Sequence, residues 1–295
     1  MAEVLLIRTN DRMKGMKSIF KQKKEFFESL KDRNVVIKPN FNTADPPPAS
    51  TDINIIRELI EHLKACNAKK ITVAERAGPA DTHETMETKG LFDLREEIGG
   101  FDIVDLTKLP ESEWVQIKPE GSHWKNGFSV PKMYSEAEAI IALPCLKTHQ
   151  YGGHFTMSLK LAVGLVPRKV YMGELHSSPH QRRMIAEINQ AYSPDLVILD
   201  GIDAFVDRGP MEGKLVHPNV MLASTDRIAI DAVGVAILRD HGTTPEVSKG
   251  PIFEQEQIAR AVELKLGVQK ASEIVIKGLD SASKEYANRL GKLMN

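Results

Sequence analysis

Apolar positions in this chain recur with two different periods, and the alternation between those periods predicts the fold. Residues 4–7, 34–38, 70–74, 101–106, 139–143, 196–199, 220–223 and 273–276 form short runs rich in Val, Ile and Leu that read as strands. Between most of them lie longer stretches whose apolar residues stand three or four apart, as on one face of a helix. Met16, Ile19, Phe20, Phe26, Phe27 and Leu30 mark such a face in 13–30, and Ile55, Ile56, Leu59, Ile60 and Leu63 mark the next. The same spacing predicts helices over 84–98, 156–163, 227–238, 252–266 and 282–294, with a further one starting at Ser178 and Pro179 and running through Met184, Ile185, Ile188 and Ala191. Thr51 or Asp52 can cap the helix at 55–63, and Asp226 can cap the one at 227–238. Strands separated by helices imply βαβ units, so the expected class is α/β, a mainly parallel sheet flanked by helices. Residues 1–295 read as one such domain. The irregular stretch 110–131, with weak strand candidates at 114–117 and 128–130 that could pair as a hairpin, marks a candidate boundary between two lobes.

Composition narrows the class of partner. The formal net charge is -1, and no aromatic residues interleave with a basic stripe, so nucleic acid is not an expected partner. The two cysteines, Cys66 and Cys145, are too few for the four thiolates an iron–sulfur cluster normally uses within one chain. They also fit a reducing compartment better than a disulfide framework. The apolar run at 4–7 is too short for a signal core, and no stretch approaches the ~20 apolar residues of a membrane span. A cytoplasmic protein without a membrane segment is therefore expected.

In parallel α/β sheets, ligands bind beyond the carboxyl ends of the strands. Polar side chains recur at those predicted ends: Lys38 and Asn40, Glu75, Lys147 and His149, Asp200 and Asp203, Thr225 and Asp226. Each has an ordinary explanation. Lys38 can snorkel, Asn40 can close a turn, and Glu75 or Asp200 can cap a loop. Their recurrence at five ends favours a site. Lys147 and His149 are the candidate catalytic pair, since an imidazole can shuttle a proton near neutral pH. Lys38, Asn40, Lys160 and Thr225 are candidate contacts to an anionic ligand or cofactor. Glu75, His149, His154 and Asp200 are candidate ligands for a divalent metal.

Lys160 stands among Met157, Leu159, Leu161, Ala162 and Val163, so its ammonium must reach water or meet an anion. Asp231, among Ile228, Ile230, Ala232 and Val233, likewise needs a partner. His176 and His180 have the spacing of one helix face, but Ser178-Pro179 places a helix start between them. No P-loop, G-x-G-x-x-G, G-x-S-x-G or His-Glu-x-x-His motif occurs, which argues against the enzyme classes built on them.

Val35-Val36-Ile37-Lys38-Pro39-Asn40-Phe41, Leu143-Pro144-Cys145-Leu146-Lys147-Thr148-His149, the helix with Lys160 and Gly164, Leu199-Asp200-Gly201-Ile202 with Gly209-Pro210 and Gly213, and Ala223-Ser224-Thr225-Asp226 with Ala229 and Asp231 resemble, in order, the motifs of the domain-of-unknown-function family 362. The resemblance spans nearly the whole chain. It implies an α/β fold and a shortlist of residues, with no reaction attached. Many members of that family carry iron–sulfur segments, which this chain lacks, and Leu161 stands after Lys160 where members commonly have Asn. The leading functional expectation is binding of an anionic small molecule or cofactor, with a divalent metal, in a cleft at the strand ends. The alternative is a non-catalytic module that docks an electron-transfer or assembly protein, that is, a separate redox partner.

Overall fold

The computed structural model describes residues 1–294. Its strands are β1 (Ala2–Arg8), β2 (Asn34–Pro39), β3 (Lys70–Glu75), β4 (Asp102–Asp105), β5 (Trp114–Ile117), β6 (Phe128–Pro131), β7 (Ala139–Leu143), β8 (Cys145–His149), β9 (His154–Thr156), β10 (Leu196–Phe205), β11 (Leu215–Val216), β12 (Val220–Ser224) and β13 (Ile274–Gly278). The main sheet runs β13-β1-β12-β10-β7-β2-β3-β4, with β8, β9 and β11 attached beside β10. It is a mixed α/β sheet and mostly parallel, because β4, β3, β2, β7 and β10 all run the same way. Along the main strand order β12 is the exception, antiparallel to both of its neighbours, and the attached β9 and β11 also pair antiparallel.

Both faces of the sheet are covered, which explains why its strands read as continuous apolar runs. Along β1, Val4 and Leu6 enter one core with the helices Arg227–Asp240 and Ser281–Leu293. Leu5 and Ile7 enter the opposite core with Arg12–Gln22 and Ile53–Ala65. The period of two thus feeds two cores, and each fully buried aliphatic side chain contributes about 1.5–3 kcal/mol. The hairpin β5–β6 forms its own two-stranded sheet, and Trp124, Phe128 and Val130 pack into a third core with Tyr134, Leu165 and Tyr171.

The feature that positions a cleft is Pro144. β2 pairs with β7 as far as Pro39 opposite Leu143. Beyond Pro144 the chain resumes as β8, which leaves β2 and stays with β10. A gap therefore opens between the end of β2 and β8. From β2 the chain passes to β3 and β4 on one side, while β7 lies on the other, so the gap sits at a topological switch point.

Several local expectations are corrected. The helix predicted over 13–30 is two helices, Arg12–Gln22 and Lys24–Glu28. That over 84–98 divides at Gly90, whose positive φ of 74° ends one helix and starts another. Residues 145–149, expected as a turn into a helix, form a strand, and the helix after them is only Ser158–Leu161 with a 3-10 continuation, Ala162–Leu165. Arg168–Ser177, where the apolar pattern predicted no element, is helical. β10 does not stop near Asp200 but continues to Phe205.

Candidate functional site

Beyond the ends of β2, β3 and β8 lies a cavity of about 650 Å³. Lys38, Asn40, Glu75, Lys147, His149 and Lys160 all line it, drawn from four separate segments. Phe41, Tyr151, Leu161, Val163, Met172 and Met211 make up much of its apolar wall. Parallel strands explain the convergence, because their carboxyl ends share one edge of the sheet.

The lysines have different surroundings. Lys38 and Glu75, fully buried on adjacent strands, are paired at 2.5 Å. The remaining carboxylate capacity of Glu75 accepts the backbone N–H groups of Phe41 (3.0 Å) and Arg76 (2.7 Å). Burial pushes the Lys38 ammonium down and the Glu75 carboxyl up in pKa, and their mutual contact opposes both shifts. Lys147 donates to Asn40 Oδ1 (2.8 Å) and to the carbonyls of Pro48 (2.9 Å) and Ala49 (2.5 Å). It therefore ties β8 to the triple-proline loop. Burial lowers its pKa to about 8.

Lys160 makes no hydrogen bond and no ion pair among the described residues. Burial, followed by the positive charges of Lys147 and Arg76, lowers its pKa to about 7. Its backbone is held from beneath: Asp231, fully buried, accepts the N–H groups of Ser158 (2.8 Å) and Leu159 (2.9 Å) at the start of the same helical turn. That is the partner the sequence demanded for Asp231. His149, on β8, accepts the Gly153 N–H through Nδ1 at 3.2 Å, so its Nε2 carries the proton in the neutral ring. Burial first, then Lys160, His176 and Lys147, hold its pKa well below the usual imidazole range.

Two glycines keep the space open. A methyl group at Gly153 would fall 2.7 Å from Lys160 Cε and 2.8 Å from His149 Nδ1, so those two side chains press against one spot. A methyl group at Gly164 would fall 2.9 Å from Lys38 Nζ.

Other candidates lie elsewhere, for physical reasons that periodicity does not carry. Thr225 is exposed and follows β12; since β12 is antiparallel to β10, its carboxyl end points to the opposite edge of the sheet. Asp200 sits within β10, opposite Cys145, and its carboxylate is taken by Arg12 at 2.7 Å. Arg12 also holds Asp203 at 2.8 Å. His154 stands directly across the ladder from His149, but its left-handed backbone (φ 61°) breaks the pleat, and it is not among the cavity-lining residues. The metal-ligand set expected from Glu75, His149, His154 and Asp200 is therefore not assembled. Among the described residues no three His, Cys, Asp or Glu side chains gather as metal ligands.

Sequence reasoning missed Arg76 and Arg168, and it read His176 only as half of a doubtful pair. All three line the cavity, whereas His180 packs on His123 with ring centroids 4.5 Å apart. Arg76 is buried, bonds the carbonyls of Ala77 (2.8 Å) and Val163, and leaves its Nε without a partner. Burial lowers its pKa to about 10. Arg168 donates to the carbonyl of Pro79 at 2.5 Å. A signal for Arg76 existed, since it directly follows Glu75 at a strand end; Arg168 lay in a stretch without one.

A family model described as Domain of unknown function (DUF362) matches residues 35–236, more than half of the chain, and the chain belongs to that family. A thylakoid-associated protein of Synechocystis sp. is 28% identical over 251 residues, covering 82% of this chain and 74% of that protein. Among solved structures, the lactate racemase apoprotein from Thermoanaerobacterium thermosaccharolyticum is similar at a TM-score of 0.49 and 12% identity, over 97% of this chain and 85% of that one. No helix among the described residues is long and apolar enough to cross a membrane.

Proposed function

We propose that this protein binds an anionic small molecule in the cavity between the ends of β2 and β8. One observation carries the reading. Five basic side chains, Lys38, Arg76, Lys147, Lys160 and Arg168, line a cavity that contains a single carboxylate, Glu75, which is already paired with Lys38. The other four are turned toward carbonyls, an amide or nothing, in a chain whose net charge is -1. Positive charge confined in a partly desolvated cavity is costly unless an anion compensates it.

Lys160 and Arg76 are the contacts to the anionic group, because Lys160 has no partner among the described residues and the Arg76 guanidinium lines the cavity without a carboxylate of its own. Lys38 and Lys147, offered above as ligand-binding or catalytic, act mainly by holding the walls. The reading contains no divalent metal, since the donor set for one is not gathered. The partner-docking alternative required a poorly formed cleft, and the formed cavity gives it no comparable support.

The test is calorimetric titration with glutarate and with inorganic phosphate, beside native mass spectrometry of the purified protein for a retained anion. Lys160→Met should weaken the bound anion at least about 10-fold, or about 1.4 kcal/mol, while the protein stays folded. Equal affinity in the wild type, Lys160→Met and Arg76→Met would remove the cavity from the explanation.

A further inference from the structure

We infer that the anion taken by this cavity is a 2-oxo acid, and that Lys160 condenses with its carbonyl to form an imine. The inference rests on the anion-binding reading and deepens it. Its geometric basis is the division of labour among the cavity cations. Arg76 and Arg168 direct hydrogen bonds to carbonyls, and their guanidinium groups can balance a carboxylate, while Lys147 is spent on the Asn40 amide and the carbonyls of the proline loop. Lys160 alone has no partner of any kind among the described residues, and its stem touches the same spot as the His149 ring. An amine held among other cations in a partly desolvated cavity loses its proton easily, which is how a lysine becomes a nucleophile at neutral pH. The facing groups are Lys147 and His149 on β8, Arg76 after β3, and His176 on the helix Arg168–Ser177; each is cationic or neutral, and none offers a counter-charge.

The step balances without an oxidant or a further reactant. The neutral Lys160 amine forms a bond to C2 of the 2-oxo acid, and the carbonyl π pair moves to oxygen, which takes up a proton. The hydroxyl of the resulting carbinolamine takes up a second proton and leaves as water while the nitrogen pair closes the C=N bond, so that the two protons given up by the amine balance the two gained by the departing oxygen. The Nε2–H of His149 is placed to donate to the carbonyl oxygen as charge develops there, since its Nδ1 is occupied by the Gly153 N–H. Gly153 is required, because any side chain there would occupy the space of both reacting neighbours.

The experiment is reduction trapping. The full-length protein is incubated with pyruvate or 2-oxoglutarate, treated with borohydride, and analysed by peptide mass spectrometry. One reduced adduct per chain on Lys160 is the expected result, with its formation rate rising with pH and levelling above about 7. Lys160→Arg, which keeps the charge and cannot form an imine, should retain binding of glutarate while trapping is lost. Glutarate and propionate, without the carbonyl, should bind more weakly than their 2-oxo counterparts. Binding of glutarate as tight as that of 2-oxoglutarate with no adduct on Lys160, or adducts scattered over surface lysines with Lys160 unmodified, would overturn the imine and leave the anion site standing. Absence of binding by any of these acids and by phosphate would overturn both.

Discussion

Two charge clusters on this sheet obey opposite rules. Around β10, Arg12 meets Asp200 and Asp203 at 2.7 and 2.8 Å, and His217 lies 2.7 Å from the other oxygen of Asp203. Beyond β2 and β8, five basic side chains share one carboxylate. The first cluster carries its own counter-charges. The second stops short of neutrality, and the missing charge must come from outside the chain. The difference separates buried charge that holds a fold together from buried charge that awaits a ligand. Perturbed ionisation alone would not separate them, because burial shifts both clusters: Asp200 is pushed up despite its arginine, as Lys160 is pushed down without an anion.

Substitutions can break this contrast, and the largest effect is expected where the cleft itself is compensated. Lys38→Met leaves Glu75 buried with only backbone donors, and should cost about 3–5 kcal/mol in urea unfolding. Combining it with Glu75→Leu should restore most of that loss. A single variant as stable as wild type would show that the pair does not hold β2 to β3. Next in size, Arg12→Met strips Asp200 of its basic partner, at a cost of about 2–3 kcal/mol. A stability change too small to measure would erase the distinction drawn between the clusters.

The smallest effect has the opposite sign. Lys160→Met should stabilise the protein by about 0.5–1 kcal/mol at pH 7. Burial lowers the Lys160 pKa in the folded chain to about 7, below its ordinary value of 10.5 in the unfolded chain, and the partial access of solvent to its side chain leaves only a small part of that shift as stability. Between those values the unfolded chain binds more protons, so stability rises with pH and the penalty fades toward pH 10. The advantage of Lys160→Met should therefore shrink from pH 7 to pH 10 in denaturation curves. An advantage that stays constant, or grows, would mean the ammonium already has a partner.

Much of the site was legible because parallel strands place their carboxyl ends together. Lys38, Asn40, Glu75, Lys147 and His149 follow from reading where β2, β3 and β7 end, and Lys160 from its apolar surroundings. Asp200 and Thr225 failed on strand length and strand direction. A run of apolar residues shows that a strand exists and leaves open which way it points in the sheet. His154 failed on backbone conformation, because its left-handed φ of 61° breaks the pleat at that position and it does not line the cavity although it pairs with His149. Arg76 was passed over although it follows Glu75 at a strand end, and Arg168 lay in a stretch without such a signal; that neither has a carboxylate partner is a property of the packed chain.

The amino-acid sequence by itself determined the two-layered burial of the sheet, through its alternation of strand and helix periods, and the supply of polar residues at strand ends. It also determined that Asp231 and Lys160 had to find an answer to their apolar settings. Only the tertiary structure decided that Asp231 would be satisfied and Lys160 would not. The reason is that a charge is compensated through space: Asp231 receives two N–H groups from a segment some seventy residues away, while the charges that act on Lys160, Lys147 on β8 and Arg76 after β3, are both of its own sign and the one carboxylate of the cavity, Glu75, is paired with Lys38.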